Sequence, residues 1–180
     1  MPQSKPKRGP ELPGQALAIV GPSNSGKTEL ICRLAGWFQA QGLKVAVLKH
    51  SHKLDLGEKG KDTERFRRAG VGNVALAGPG LLQITRTLPA DPTVEEVLAA
   101  WSPDADVILV EGYKSSALPK ISLVGAELEQ VLRDDSLVAA LVSREPRESR
   151  LPVFAPHQVA ELGRFIREFL FQAKRSSAPE

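Results

Sequence analysis

One segment near the N-terminus combines residue types and a spacing that bind phosphate groups. Two glycines followed by a lysine and a threonine match the pattern Gly-x-x-x-x-Gly-Lys-Thr. Glycine permits backbone angles that turn successive amide groups toward one phosphate, and the lysine adds a mobile positive charge. A threonine hydroxyl suits Mg²⁺, which prefers oxygen ligands. We therefore predict a purine nucleoside triphosphate and Mg²⁺, with Thr28 as a metal ligand, at Gly21, Pro22, Ser23, Asn24, Ser25, Gly26, Lys27 and Thr28.

A second acid is expected beside the metal, because open α/β sheets bind ligands at the C-terminal ends of their strands. An apolar run at 107–110 has Asp106 before it and Glu111 after it. Asp106 would lie at the opposite end of the strand, about 17 Å away at the usual rise per residue. We therefore assign Glu111 as a direct or water-mediated metal partner and as a catalytic candidate. The alternative is a solvated loop glutamate.

Two histidines follow another predicted strand. His50 and His52 are spaced so that both rings lie on one side of an extended chain, and a metal site is one interpretation. Only His157 and Cys32 remain as further histidine or cysteine ligands, so a closed zinc site would have to use carboxylates. We favour polar contacts beside the triphosphate and predict His50 as a nucleotide contact.

The basic segment at 60–68 is a further candidate for contact with the nucleotide. Lys61 and Asp62 begin the part of it expected nearest the phosphate site, and we predict Lys61 as a phosphate contact and Asp62 as a catalytic candidate. The competing interpretation is a solvated helix face, which we favour for Arg67 and Arg68.

Recognition of the base has no obvious motif, since the sequence contains no Asn-Lys-x-Asp run. Ser143 and Arg144 follow a predicted strand on the ligand side of the sheet, and we place the base pocket there. The residues alone do not decide between GTP and ATP.

The elements that must position these residues can be predicted from hydrophobic periodicity. The apolar strand at 16–20 is followed by the glycine-rich loop, an amphipathic helix and a strand at 44–49, which together form a parallel βαβ unit. Two further strand patterns flank Gly78-Pro79-Gly80 and predict a β-hairpin. We therefore predict an α/β, three-layer P-loop NTPase fold with a mostly parallel sheet and a β-hairpin insertion. The other strands are predicted at 106–110, 121–124 and 137–142, and the other helices at 62–69, 93–101 and 159–171.

Length and composition fit one nucleotide-binding domain at 14–173, preceded by a disordered basic arm at 1–13 and followed by a frayed tail at 174–180. Cys32 is the only cysteine, which excludes an internal disulfide and favours a reducing, cytoplasmic compartment; we expect it to be a small buried hydrophobe. Trp101 is expected in the core.

No apolar run is long enough for a membrane span. A net charge of +3, spread along the chain, does not favour nucleic acid as a partner.

The combination of motifs resembles the molybdopterin-guanine dinucleotide biosynthesis adaptor family, MobB. The resemblance is carried by the glycine-rich loop and by four later runs, KVAVLKHSH, GKDTERFRRAG, VEGYK and LPKI, over about 16–124. Two departures occur: Lys53 stands where family members often have another histidine, and Ser143-Arg144 stands where many have Thr-Asp. The second departure leaves base recognition open.

The resemblance implies a GTP-binding protein with weak GTPase activity that forms a homodimer. It also implies a partner, the MobA-like molybdenum cofactor guanylyltransferase that joins GMP to molybdopterin, and contacts with molybdopterin-bearing proteins. By the same resemblance, the loop would hold phosphate and Mg²⁺, with Glu111 as the acid beside them.

Two other functions compete with the adaptor interpretation. A P-loop small-molecule or nucleotide kinase would need a base near the γ-phosphate, a role open to Asp62 or Glu111. A metallochaperone-type GTPase would need more histidine and cysteine ligands than His50 and His52 supply. The adaptor interpretation is favoured because no water-positioning glutamine or arginine finger can be assigned.

Overall fold

The computed structural model describes residues 15–53, 56–101, 103–125 and 136–176. The chain divides into a larger unit and a smaller unit, the smaller formed by residues 51–92. In chain order the described elements are β1 (Ala16–Val20), α1 (Lys27–Ala40), β2 (Val45–Lys49), α2 (Asp62–Arg68), β3 (Asn73–Gly78), β4 (Leu81–Arg86), α3 (Val94–Trp101), β5 (Val107–Glu111), β6 (Lys120–Leu123), β7 (Val138–Val142), β8 (Val153–Phe154) and α4 (Val159–Ser176).

The larger unit is built on a six-stranded sheet with the order β2-β5-β1-β6-β7-β8. All five neighbouring pairs are parallel. The C-terminal ends of β1, β2 and β5 therefore meet at one edge, where Glu111 is in register with Ile19 on one side and Lys49 on the other. This edge is where the sequence predicts the ligand.

Side chains from alternate strand positions enter two separate cores. Leu17 and Ile19 of β1 pack with α1 and α4 on one face of the sheet. Ala16, Ala18 and Val20 pack with α3 on the other face. Because both faces of a parallel sheet need an apolar cover, helices lie on both sides. The predicted three-layer α/β fold with a mostly parallel sheet is confirmed.

The smaller unit contains α2 and the antiparallel hairpin of β3 and β4, which is a separate two-stranded sheet. The buried carboxylate of Glu58 organises its interior, accepting hydrogen bonds from Arg67 Nη2 at 2.7 Å and Gln83 Nε2 at 2.5 Å. At the start of α2 the Gly60 amide donates to Glu64 Oε2, and this bond holds the pKa of the Glu64 carboxyl below its ordinary value. The predicted hairpin is confirmed as an insertion.

Several details differ from the sequence predictions. The two-residue strand β8 was not predicted, and α4 continues to Ser176 instead of ending at 171. Cys32 is exposed on α1 and 44% of the Trp101 surface is exposed, so the prediction that both are buried is wrong. Cys32 lies two positions from both Leu30 and Leu34 and so falls outside the apolar stripe of α1, whereas Trp101 has the spacing of the buried Val94 and Leu98 but is the last residue of α3.

Two predicted segments lie wholly or partly outside the described residues. The basic arm at 1–13 is outside them, as are residues 177–180 of the predicted tail. Among the helices that the structure describes, none is long and apolar enough to cross a membrane.

The contact between α1 and α4 gives a test of the larger unit. A Cβ atom at Gly163 would overlap the Trp37 ring, whereas one at Gly36 meets nothing within 4 Å. We expect Gly163→Ala to lower the free energy of unfolding by about 1–3 kcal/mol because the ring must move. The control Gly36→Ala should raise it by about 0.5–1 kcal/mol because alanine favours the helix. Urea denaturation measures both, and equal effects would contradict the packing of these two helices.

Candidate functional site

The loop between β1 and α1, residues 21–28, is named the phosphate loop. It turns on Gly21 with φ +147°, Asn24 with φ +59° and Gly26 with φ +93°. A Cβ at Gly21 would lie 2.6 Å from the Leu123 carbonyl oxygen of β6. Only glycine lets the backbone pass this close to the neighbouring strand, so the Gly21 position is fixed by sterics as well as by backbone angle.

Two side chains make the phosphate loop receptive to an anion. The Lys27 ammonium donates to the carbonyls of Gly21 at 3.1 Å and Pro22 at 2.6 Å, which holds its charge against the loop. Ser25 Oγ is buried without a hydrogen-bond partner among the described protein atoms. Buried hydroxyls normally have partners, and a phosphate oxygen would supply one. The donor set therefore fits a nucleotide phosphate.

Thr28 and Glu111 come together at the start of α1. Thr28 Oγ1 donates to Glu111 Oε2 at 2.8 Å, although 83 positions separate the two residues in sequence. Only 12% of the Glu111 side chain is exposed. A hydroxyl and a carboxylate in contact are oxygen ligands of the kind that Mg²⁺ takes, so the pair fits this ion.

Lys49 joins this pair from the end of β2. Its ammonium donates to Glu111 Oε1 at 3.1 Å and lies 3.4 Å from Thr28 Oγ1. Lys49 has no role among the sequence predictions. The signal was available, because Lys49 ends one parallel strand and Glu111 ends its neighbour, and parallel neighbours place such ends side by side.

The chain turns sharply after Glu111, through Gly112 at φ +98° and Tyr113 at φ +50°. A Cβ at Gly112 would lie 3.2 Å from His50 Cβ and from its carbonyl oxygen. The His50 amide donates to the Glu111 carbonyl at 2.9 Å, and its ring lies 4.3 Å from that of Tyr113. The structure thus brings His50 to the backbone of Glu111. Its predicted contact with the nucleotide stays a prediction.

A cavity of about 490 Å³ opens beside the phosphate loop, between the start of α1 and the ends of β6 and β7. Ser143 and Arg144, the predicted base contacts, both line it. Ser143 is buried, and its hydroxyl accepts from the Glu145 amide at 3.3 Å and from Arg147 Nε at 3.1 Å. Arg147 also lines the cavity and was missed from the sequence, where it is one arginine in a polar run.

Lys61 and Asp62 lie in the smaller unit, where Lys61 precedes α2 in an extended conformation. Asp62 Oδ1 accepts from Arg65 Nη1 at 3.3 Å, and both side chains are largely exposed. Their predicted nucleotide and catalytic roles stay predictions. His52 also lies in the smaller unit, with Nδ1 4.0 Å from Asp91 Oδ2.

The chain is similar to one family of known proteins along most of its length. Residues 16–144 match the family model described as molybdopterin guanine dinucleotide synthesis protein B. Over 157 residues the chain is 31% identical to a molybdopterin-guanine dinucleotide biosynthesis adapter protein of Haemophilus influenzae, covering 86% of this chain and 88% of the relative.

Solved structures agree with this match. The crystal structure of a molybdopterin-guanine biosynthesis protein B has a TM-score of 0.70 at 26% identity and covers 85% of this chain and 98% of that one. A MobB homologue from Bacillus stearothermophilus has a TM-score of 0.65 at 27% identity and covers 89% of this chain and 99% of that one.

The close approach at Gly21 can be tested against another glycine of positive φ that has no close neighbour. Gly42 also has positive φ, and a Cβ there meets nothing within 4 Å. We expect Gly42→Ala to cost about 1–2 kcal/mol of folding free energy from backbone strain alone. Gly21→Ala should cost about 1–3 kcal/mol more, because the methyl group overlaps the Leu123 carbonyl. Equal losses in urea denaturation would show that the loop does not depend on this approach.

Proposed function

The chain belongs to the family of molybdopterin guanine dinucleotide synthesis protein B, and from this we propose that it is a GTP-binding adaptor of molybdenum cofactor biosynthesis. The observation that carries the proposal is the geometry of Lys27, Thr28 and Glu111 within the matched span 16–144. That span also contains the cavity residues Ser143 and Arg144. The relatives are called adapter proteins, which supports an adaptor role over a kinase.

We infer that the phosphate loop holds the triphosphate and that Thr28 and Glu111 hold Mg²⁺. Bound GTP·Mg²⁺ would supply a reactive γ-phosphoryl group whose negative charge the metal partly neutralises. Lys27 offers an ammonium now shared by two neutral carbonyls, and a phosphate gives it a stronger, charged acceptor. The amides at the start of α1 add positive potential at the same point.

Hydrolysis is proposed to be slow, because the described site contains little that would activate water. Among the described residues that line the cavity, none is a glutamine. Glu111 already has both carboxylate oxygens engaged, by Thr28 and Lys49, which suits a positioning role better than proton abstraction. A protein that binds GTP firmly and turns it over slowly suits an adaptor.

We propose that the cavity beside the phosphate loop binds the base and prefers guanine. Its lining includes the exposed Arg144, the carboxylate of Glu145 and the buried Ser143. A carboxylate can accept from the N1–H and N2–H₂ of guanine, groups that adenine lacks, so a pocket of this composition can prefer GTP. The family name, which refers to a guanine dinucleotide, agrees with that preference.

The partner is proposed to be a MobA-like guanylyltransferase, with molybdopterin-bearing proteins as further contacts and the cytoplasm as the compartment. The adapter name of the relatives supports an interaction with the enzymes of this biosynthesis. The exposed lone Cys32 is compatible with a reducing compartment.

We propose that the chain forms a homodimer through the hairpin of the smaller unit. The cross-strand pairs Ala75–Ile84 and Ala77–Leu82 share one face of the hairpin, where Leu82 and Ile84 are 66% and 65% exposed. On the opposite face Val74 is buried and Gln83 bonds to Glu58. Leu76 and Leu81 of that second face are also exposed, so the hairpin as a whole is a bare apolar surface suitable for a second copy.

Nucleotide binding provides the first test. By titration calorimetry, we expect the purified chain to bind GTP more tightly than ATP, and more tightly with Mg²⁺ than with a chelator. Lys27→Ala should weaken GTP binding by about 100-fold, since a charge-assisted contact is lost. The control Lys44→Ala, a lysine paired with Asp104 at the other end of β2, should bind normally. Unchanged affinity of Lys27→Ala with an intact circular dichroism spectrum would contradict the site, and equal affinity for ATP would contradict the base pocket.

The dimer can be tested with Leu82→Asp and Ile84→Asp. Burying a carboxylate in an apolar interface is unfavourable, so each variant should convert a dimer, twice the 19.4 kDa chain mass, into a monomer. Leu88→Asp, at an exposed leucine of the smaller unit outside the hairpin strands, is the matched control and should remain dimeric. Light scattering measures the masses. A monomeric wild type, or a variant that stays dimeric, would overturn the hairpin interface.

A further inference from the structure

The Lys49 ammonium occupies the centre of the proposed metal pair. It contacts Glu111 Oε1 at 3.1 Å and Thr28 Oγ1 at 3.4 Å, while Thr28 Oγ1 contacts Glu111 Oε2 at 2.8 Å. Three groups from three elements, β2, α1 and β5, therefore form one closed cluster. Its charges are one ammonium and one carboxylate.

This ion pair is built into the sheet and is not a chance surface contact. Lys49 and Glu111 are register partners of the parallel strands β2 and β5, so the backbone places their side chains next to each other. The Glu111 side chain is nearly buried, at 12% exposure, and a carboxylate withdrawn from water needs a compensating positive charge. The Lys49 side chain is 55% exposed, so it has open space into which it can move.

The same two oxygens, Thr28 Oγ1 and one carboxylate oxygen of Glu111, are those proposed for Mg²⁺. An ammonium within hydrogen-bond distance of both would repel a divalent cation placed on them. Lysine is suited to releasing its partner, because a flexible four-carbon stem carries its point charge. Glu111 lacks such freedom, since it ends a central strand and its carbonyl is bonded to the His50 amide.

We propose that Lys49 is a positioning residue that holds the Glu111 carboxylate against Thr28 and competes with Mg²⁺ for it, so that metal binding requires Lys49 to release Glu111. This inference rests on the proposed function. It adds that Lys49, a residue of the chain itself, sets the Mg²⁺ concentration that nucleotide binding requires. Lys49 thereby keeps the buried acid neutralised and correctly oriented until a divalent cation replaces it.

The test compares the Mg²⁺ dependence of GTP binding in wild type and Lys49→Met, which retains a similar length and removes the charge. If Lys49 competes with the metal, the half-saturating Mg²⁺ concentration should fall by about five-fold in Lys49→Met, the range expected for a partly exposed ion pair. All variants are compared at the same GTP concentration, so free GTP binds the same amount of Mg²⁺ in each titration. Lys49→Arg keeps the charge and can bind the carboxylate in two places, so it should not lower the Mg²⁺ requirement and can raise it.

Two controls distinguish competition for the Glu111 carboxylate from a general effect of net charge. Lys44→Met removes the same charge from the same strand region, where Lys44 pairs with Asp104 at 2.6 Å, and should leave the Mg²⁺ dependence unchanged. Glu111→Gln should raise the Mg²⁺ requirement, and Lys49→Met added to it should have no further effect because the contested carboxylate is gone.

A higher or unchanged Mg²⁺ requirement in Lys49→Met would overturn the inference, as would an equal fall in Lys44→Met, which would indicate net charge alone. If wild type binds no GTP at any Mg²⁺ concentration, the proposed function fails. The competition is then tested separately by the rise in Tm that Mg²⁺ produces without nucleotide, which should be larger in Lys49→Met. An equal rise in both proteins would overturn the inference on its own.

Discussion

The hydrogen bond between Thr28 and Glu111 joins the two parts of the chain on which the site depends. Thr28 belongs to the first turn of α1, and Glu111 is the last residue of β5. Their contact requires β1 and β5 to be parallel neighbours, and the register of Ile19 with Glu111 supplies this. Because α1 begins directly after the loop that follows β1, its first turn lies at the same edge of the sheet. This one side-chain bond therefore depends on both strand order and strand direction.

The parts of the site that follow from strand direction could be predicted from the sequence. The phosphate loop was identified from its spacing, and Glu111 was preferred to Asp106 because ligands lie at the C-terminal ends of parallel strands. In the structure Asp106 lies at the opposite end, where it accepts from the Lys44 amide at 2.8 Å. Both identifications needed only the element types and their order, which hydrophobic periodicity gives.

What the sequence did not reveal depends on which strands are neighbours and on local packing. Lys49 acquires its partner because β2 lies beside β5, a pairing of strands that are distant along the chain. Arg147 is held by Ser143 in a turn that has no sequence signature. Trp101 has the helical spacing of the buried Val94 and Leu98 but is the last residue of α3, and a spacing pattern does not show where the packing of a helix stops. Cys32 lies on the side of α1 away from Leu30 and Leu34, so its exposure follows from their spacing.

The amide of His50 is bonded to the Glu111 carbonyl, and the smaller unit begins at the next residue. The last residue of the larger unit before the insertion, His50, is therefore hydrogen-bonded to the backbone of Glu111. Any displacement of the His50 backbone would break this hydrogen bond and so disturb the peptide that carries the Glu111 side chain.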